Sequence, residues 1–113
     1  YWSSDEFERA IRRKAGIMTG WLDHIAQGYD GGAFSVRGRG MIQGLASGTP
    51  GLAARIAARA FENGLVVETS GASDQVIKLL PPLTIEEAAL HRGLEILDQS
   101  VADVLGVERA EAG

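Results

Sequence analysis

The sequence predicts an α+β domain, a small and mainly antiparallel sheet covered by helices, in the order α-β-β-α-β-β-α. Three observations carry this expectation. A long stretch at each end of the chain repeats apolar residues at helical spacing. Short apolar runs bounded by glycine or proline lie between them and read as strands. A third, shorter helical stripe divides those runs into two pairs.

The first helix is predicted over Asp5–Gln27. Ser3 and Glu6 have capping-box spacing, and Asp5 and Glu6 suit the positive end of the helix dipole. Its stripe is Phe7, Ile11, Met18, Leu22 and Ile25, with Gly28 as the stop and residues 28–32 as a loop. Such a helix is roughly 35 Å long, more than a small free-standing domain needs.

Phe34–Val36 and Met41–Leu45 read as two short strands or one kinked strand, with Gly38 and Gly40 marking a bulge or a close backbone approach. Thr49-Pro50 predicts the cap and first position of a second helix, whose face is Leu52, Ile56, Ala60 and Phe61 and whose stop is Gly64. Leu65–Glu68 is a strand by its β-branched content, residues 69–74 are a turn, and Val76–Leu80 is a further strand halted by Pro81-Pro82. Thr84 and Glu87 form a second capping box, opening a helix striped by Leu90, Leu94, Leu97, Val101 and Leu105. One domain is therefore expected over residues 1–105, followed by a frayed tail over 106–113.

Composition narrows the function classes. The chain has 113 residues, is 45% hydrophobic and 23% charged, and carries a net charge of −4. That is the balance of an ordinary globular domain. Its cations are scattered from Arg9 to Arg109 without a basic block, which argues against nucleic acid. Only Phe34 supplies an aromatic ring to a predicted strand, so a sheet that stacks RNA bases is also disfavoured. There is no cysteine, and no apolar run nears the roughly 20 residues of a membrane span. A reducing cytoplasm is the default location. The chain opens on Tyr1 rather than methionine, directly ahead of a helix start, which reads as part of a longer polypeptide.

Candidate chemistry is sparse. His24 and His91 fall within predicted helices beside apolar positions and have no metal-spaced partner, so solvated or core-edge histidine is the reading. Asp5/Glu6 and Glu86/Glu87 sit in first helical turns, where the helix dipole explains them. Gly38-Arg39-Gly40 lacks the third glycine and the following helix of a nucleotide loop, and Arg37 and Arg39 are as readily solvated as ligand-bearing. Lys78 stands out. It shares a strand face with Val76 and Leu80, where a cation needs an anionic partner or a route to water. It either snorkels from an edge strand or meets a carboxylate from a substrate or another domain.

The same residues carry a resemblance. Val36-Arg37-Gly38-Arg39-Gly40-Met41 resembles the Val-Arg-Gly-x-Gly-Leu strand motif of class III aminotransferases. Val76-Ile77-Lys78-Leu79-Leu80-Pro81-Pro82-Leu83 resembles that family's last strand, which often reads Ile-Arg-x-x-Pro-Pro-Leu. Tyr1-Trp2 and Gly64-Leu65-Val66-Val67-Glu68-Thr69-Ser70-Gly71 are similar to the diaminobutyrate–2-oxoglutarate branch, associated with ectoine biosynthesis. The likeness runs from Tyr1 to about Val104.

It implies the C-terminal small domain of a fold type I, pyridoxal 5′-phosphate-dependent subunit. That subunit moves an amino group from L-glutamate to L-aspartate 4-semialdehyde, giving L-2,4-diaminobutyrate and 2-oxoglutarate. The resemblance places the Schiff-base lysine and most cofactor contacts in a large domain of the same subunit, and makes the complete enzyme a homo-oligomer. It assigns no catalytic, cofactor-binding or metal residue to this chain, and predicts that the chain alone is inactive. Lys78 occupies a position where many relatives carry a carboxylate-binding arginine. Lysine lacks that rigid bidentate fork, but the position implies a substrate-side cation. Lys14, beside Arg12 and Arg13 on a helix face expected to be exposed, does not match the cofactor lysine. If the first helix normally packs on a large domain, Trp2, Ile17 and Trp21 should expose apolar area here. The competing reading is a free-standing α+β protein-interaction module without catalysis.

Overall fold

A computed structural model describes residues 4–106 of the chain. The elements are α1 (Ser4–Gly28), β1 (Phe34–Arg39), β2 (Ile42–Ser47), α2 (Leu52–Glu62), β3 (Glu68–Ser70), β4 (Val76–Leu79) and α3 (Glu87–Leu105), with a short 3-10 turn at Asp30–Gly32. The order is the predicted one. All strand pairings are antiparallel, and the sheet runs β1-β2-β4-β3.

Strand alternation divides the sheet into two faces. Val36, Leu45 and Ile77 lie opposite one another and point toward the helices; Leu45 and Ile77 are fully buried with Leu22 and Ile25 of α1, Leu52 and Ile56 of α2, and Leu97 and Val101 of α3. A second cluster, Met18, Met41, Leu90 and Leu94, continues the core between α1 and α3. Burying a side chain of this size contributes about 1.5–3 kcal/mol. The opposite face of the sheet has no helix packed on it among the described residues.

Several boundaries differ from expectation. The β1–β2 register is unbroken from Phe34↔Ser47 to Arg39↔Ile42, so there is no bulge; Gly40 and Met41 form a two-residue turn, and both strands are longer than predicted. Gly38 takes φ +84° inside β1, and a side chain there would run into the Ile42 carbonyl, which explains the glycine by close approach. Helix α2 starts at Leu52 rather than at Pro50. The Thr49 hydroxyl is spent on the Gly31 carbonyl (3.0 Å) and its backbone N–H on Ser47 Oγ (3.1 Å), so Thr49 does not cap the helix.

The third strand is displaced to Glu68–Ser70 from the predicted Leu65–Glu68. The end of α2 causes the shift. Leu65 N–H donates to Ala60 O (2.8 Å) and Gly64 N–H to Phe61 O (3.0 Å), the paired bonds of a Schellman motif, which withdraws Leu65 from the ladder. The expected capping box of α3 is not formed either. Ile85 N–H closes a turn onto Pro82 O, the helix begins at Glu87, and the Glu87 carboxylate pairs with Arg13 of α1. Tyr29, inside the predicted loop, is buried and donates its hydroxyl to Asp98 Oδ1 at 2.9 Å. Tyr1, Trp2 and Ser3, with their motif and first capping box, lie outside the described residues, as does the tail beyond Gly106. Gly106 itself takes φ +69° and closes α3.

Lys14 is the largest correction. It is 7% exposed and not on an open face; its ammonium donates to the Leu83 carbonyl over 2.7 Å. Its place was legible, because 11, 14 and 18 are successive positions on the apolar stripe. The apolar exposure expected on α1 is also elsewhere. Ile17 and Trp21 are half-buried, and Trp21 Nε1 donates to His91 Nδ1 (3.0 Å). Val66, 77% exposed, Leu80 and Leu83 instead lie open near the end of β4.

Candidate functional site

The open sheet face carries the charge. Ile77 is buried against the helices, so alternation turns Lys78 to the other side. The register then sets Arg37, Gly44, Lys78 and Glu68 opposite one another, one from each strand, in a single row across the sheet. Ser35, Ala46, Val76 and Ser70 form the next row, and Arg39 and Ile42 stand beyond the first. The face is therefore a mixed, cation-bearing surface, not the apolar one expected from Val76 and Leu80. Nor does Lys78 lie on an edge strand: β4 sits between β2 and β3.

Gly44 makes the row possible. A Cβ there would stand 2.8 Å from Val76 Cγ1 and 2.9 Å from Ile77 O, closer than real Cβ atoms come. Gly44 thus puts no side chain of its own between Arg37 and Lys78, and its buried backbone lies under Val76 Cγ1. Two strand spacings separate these cations, roughly 10 Å between their Cα atoms. Neither the Arg37 nor the Lys78 side chain makes a hydrogen bond or ion pair with another described residue, and Glu68 flanks Lys78 from the edge strand. Sequence reasoning found Lys78 but gave Arg37 no preference and passed over Gly44 and Glu68. Only the pairing register shows that these four are neighbours.

On the helical side an apolar groove of about 430 Å³ runs between the end of β4 and α3, lined by Val66, Leu79, Pro81, Ile85, Leu90 and Leu94. Its lining is otherwise apolar, and Glu68 and Lys78 also border it. His24 and His91 are exposed and both stand edge-on to Trp21, each with ring centroids 6.3 Å from it. Among the described residues no group of histidines and carboxylates is arranged to hold a metal ion, and no helix is long and apolar enough to cross a membrane.

The strongest local electrostatics is a clasp between α2 and α3. Asp103 accepts from Gln99 (2.8 Å), Arg59 (2.8 Å) and Asn63 (3.3 Å), and these bonds hold its carboxyl down to about 2, from 3.8. The same pairing raises Arg59. Ser100, fully buried, accepts from Asn63 and donates to Ile96 O, extending the clasp inward. These bonds fasten two helices and face no open cleft of the sheet.

The arrangement can be set beside known proteins. A diaminobutyrate–2-oxoglutarate transaminase from Bordetella parapertussis is 52% identical over 113 residues, a match that takes in 99% of this chain and 26% of that one. Among solved structures, an N-acetylornithine aminotransferase from Stenotrophomonas maltophilia superposes with a TM-score of 0.80 at 24% identity, over 91% of this chain and 28% of the other. A PMP-bound aminotransferase from Vibrio fluvialis superposes with a TM-score of 0.74 at 22% identity, over 91% and 24%. Both show the fold. The chain spans about a quarter of the length of the curated relatives it matches. The class-III aminotransferase family model matches residues 3–101, nearly the whole of the described domain, and the chain belongs to that family.

Proposed function

We propose that residues 1–105 are the C-terminal small domain of a pyridoxal phosphate-dependent transaminase subunit. The subunit would move the amino group of L-glutamate to the aldehyde carbon of L-aspartate 4-semialdehyde, leaving 2-oxoglutarate and L-2,4-diaminobutyrate. The observation that carries this reading is the 52% identity, over essentially the whole chain, to a transaminase of that name. The free-standing interaction module is the weaker reading, since the chain accounts for only a quarter of each such relative. A cytoplasmic homo-oligomer, as in the ectoine-producing branch it resembles, accompanies the proposal.

The described residues do not by themselves fit the cofactor. Of the two lysines in the sequence, Lys14 is committed to the Leu83 carbonyl and Lys78 stands on an open sheet face. We therefore assign pyridoxal phosphate, whose ring acts as electron sink when bound, to the remainder of the subunit. This chain supplies recognition. Lys78 projects from an interior strand with no described partner, and its role is to hold a substrate carboxylate as a point charge.

The test uses the complete subunit with its cofactor, following diaminobutyrate and 2-oxoglutarate by chromatography. Replacing Lys78 by Gln should raise KM by about 10- to 100-fold, the worth of a charge-assisted hydrogen bond, with a smaller change in kcat. Failure of the wild-type subunit to transfer nitrogen from glutamate to the semialdehyde would sink the reading. The 113-residue chain incubated with pyridoxal phosphate and borohydride should show no stoichiometric adduct; specific labelling of Lys78 would overturn the assignment of the cofactor elsewhere.

A further inference from the structure

We infer that Arg37 is a specificity residue for dicarboxylic substrates, holding the second carboxylate of an acid whose first is held by Lys78. The inference rests on the functional reading above for the role of Lys78, and adds a residue and a geometry.

Four observations support it. Arg37 and Lys78 are in register across Gly44, on one face of the sheet, and no other residue of their row puts a side chain between them. Gly44 is held as glycine by Val76 Cγ1 and Ile77 O, so the gap is fixed by packing. Glu68 occupies the other flank of Lys78, so an incoming anion is repelled from the β3 side and favoured on the Arg37 side. Arg37 has no acidic partner among the described residues, although the chain as a whole is acidic, at net −4. A positive row on a negative protein concentrates anions where the row is.

The chemistry suits two carboxylates better than one. Two cations roughly 10 Å apart at their Cα atoms, on long side chains, can each take one end of a short dicarboxylic acid. Arginine provides a planar bidentate seat at one end and lysine a point charge at the other. A monocarboxylic acid satisfies only one of them. Arg39 lies on the same face but two residues along, opposite Ile42 and outside the row, and serves as the internal control.

The experiment measures binding, not turnover, on the complete cofactor-loaded subunit. Glutarate and butyrate, which carry neither an amino nor an oxo group, are titrated by calorimetry. Arg37→Gln should weaken glutarate by about 10- to 100-fold and shift butyrate by no more than about 3-fold. Arg37→Lys should recover part of the loss, and Arg39→Gln should cost glutarate clearly less than Arg37→Gln. Thermal unfolding of each variant checks that the fold is intact. Glutarate affinity indifferent to Arg37→Gln, equal weakening of both acids, or a wild-type subunit that does not prefer glutarate would each overturn the inference. The two proposals separate cleanly: Arg37-dependent glutarate binding without glutamate turnover defeats only the functional reading, and turnover with Arg37-independent binding defeats only this one.

Discussion

The ammonium of Lys14 and the carbonyl oxygen of Leu83 lie 2.7 Å apart, joining the middle of α1 to the segment that follows β4. A charged donor given to a backbone carbonyl at this depth fixes the path of Pro81-Pro82-Leu83, and with it the mouth of the apolar groove. Lys14→Met keeps the aliphatic stem but leaves the Leu83 carbonyl without this partner. It should destabilise the chain by about 1–3 kcal/mol, read as a lower urea midpoint at unchanged slope. An unchanged midpoint would show that water replaces the ammonium at no cost.

Gly44 gives a second prediction. Gly44→Ala places a methyl against Val76 Cγ1 and Ile77 O at 2.8 and 2.9 Å, and should cost about 1–3 kcal/mol through overpacking. Pairing it with Val76→Ala relieves one contact and leaves the other, because the Ile77 carbonyl belongs to the ladder. The double variant should therefore be more stable than the sum of the two single losses implies, and still less stable than wild type.

Adjacent residues of β4 should respond in opposite ways. Ile77 is fully buried, and Ile77→Ala should cost about 2–5 kcal/mol by cavity formation. Lys78→Gln, on the open face, should change stability by less than about 0.5 kcal/mol. Comparable losses from both would refute the assignment of the two faces.

The clasp on α3 predicts an acid limb. Asp103 is held near 2 in the folded chain against an ordinary 3.8, so it releases its proton more readily when folded. A lowered folded-state pKa contributes stability above 3.8 that is lost as pH falls toward about 2. Wild type and Asp103→Asn should thus differ most at neutral pH and converge below that window in pH-dependent unfolding. A gap that persists at pH about 2 would place the effect in packing rather than ionisation.

Much of this architecture was legible from local pattern. The stripes of α1 and α3 have a period that survives any tertiary context, and Met18, Leu22, Ile25, Leu90, Leu94, Leu97 and Val101 are all buried as that period requires. Boundaries were less legible wherever a polar group had two possible partners. Thr49 could cap α2 or bond Gly31, and Glu87 could cap α3 or pair with Arg13; in each case the long-range partner won. Lys14 was misplaced for a related reason. Its charge suggested water, while its spacing put it on the buried stripe, and the Leu83 carbonyl resolved the conflict.

The sequence by itself determined the element order, the family, and the single cation in the strand that ends at Pro81-Pro82. Those properties are encoded over a few neighbouring residues, in periodicity, glycine and proline placement, and motif spacing. Only the tertiary structure decided that β4 inserts between β2 and β3, and hence that Arg37, Gly44, Lys78 and Glu68 form one row. Strand order is a competition for ladder hydrogen bonds between segments distant in the chain, and no local pattern records its winner.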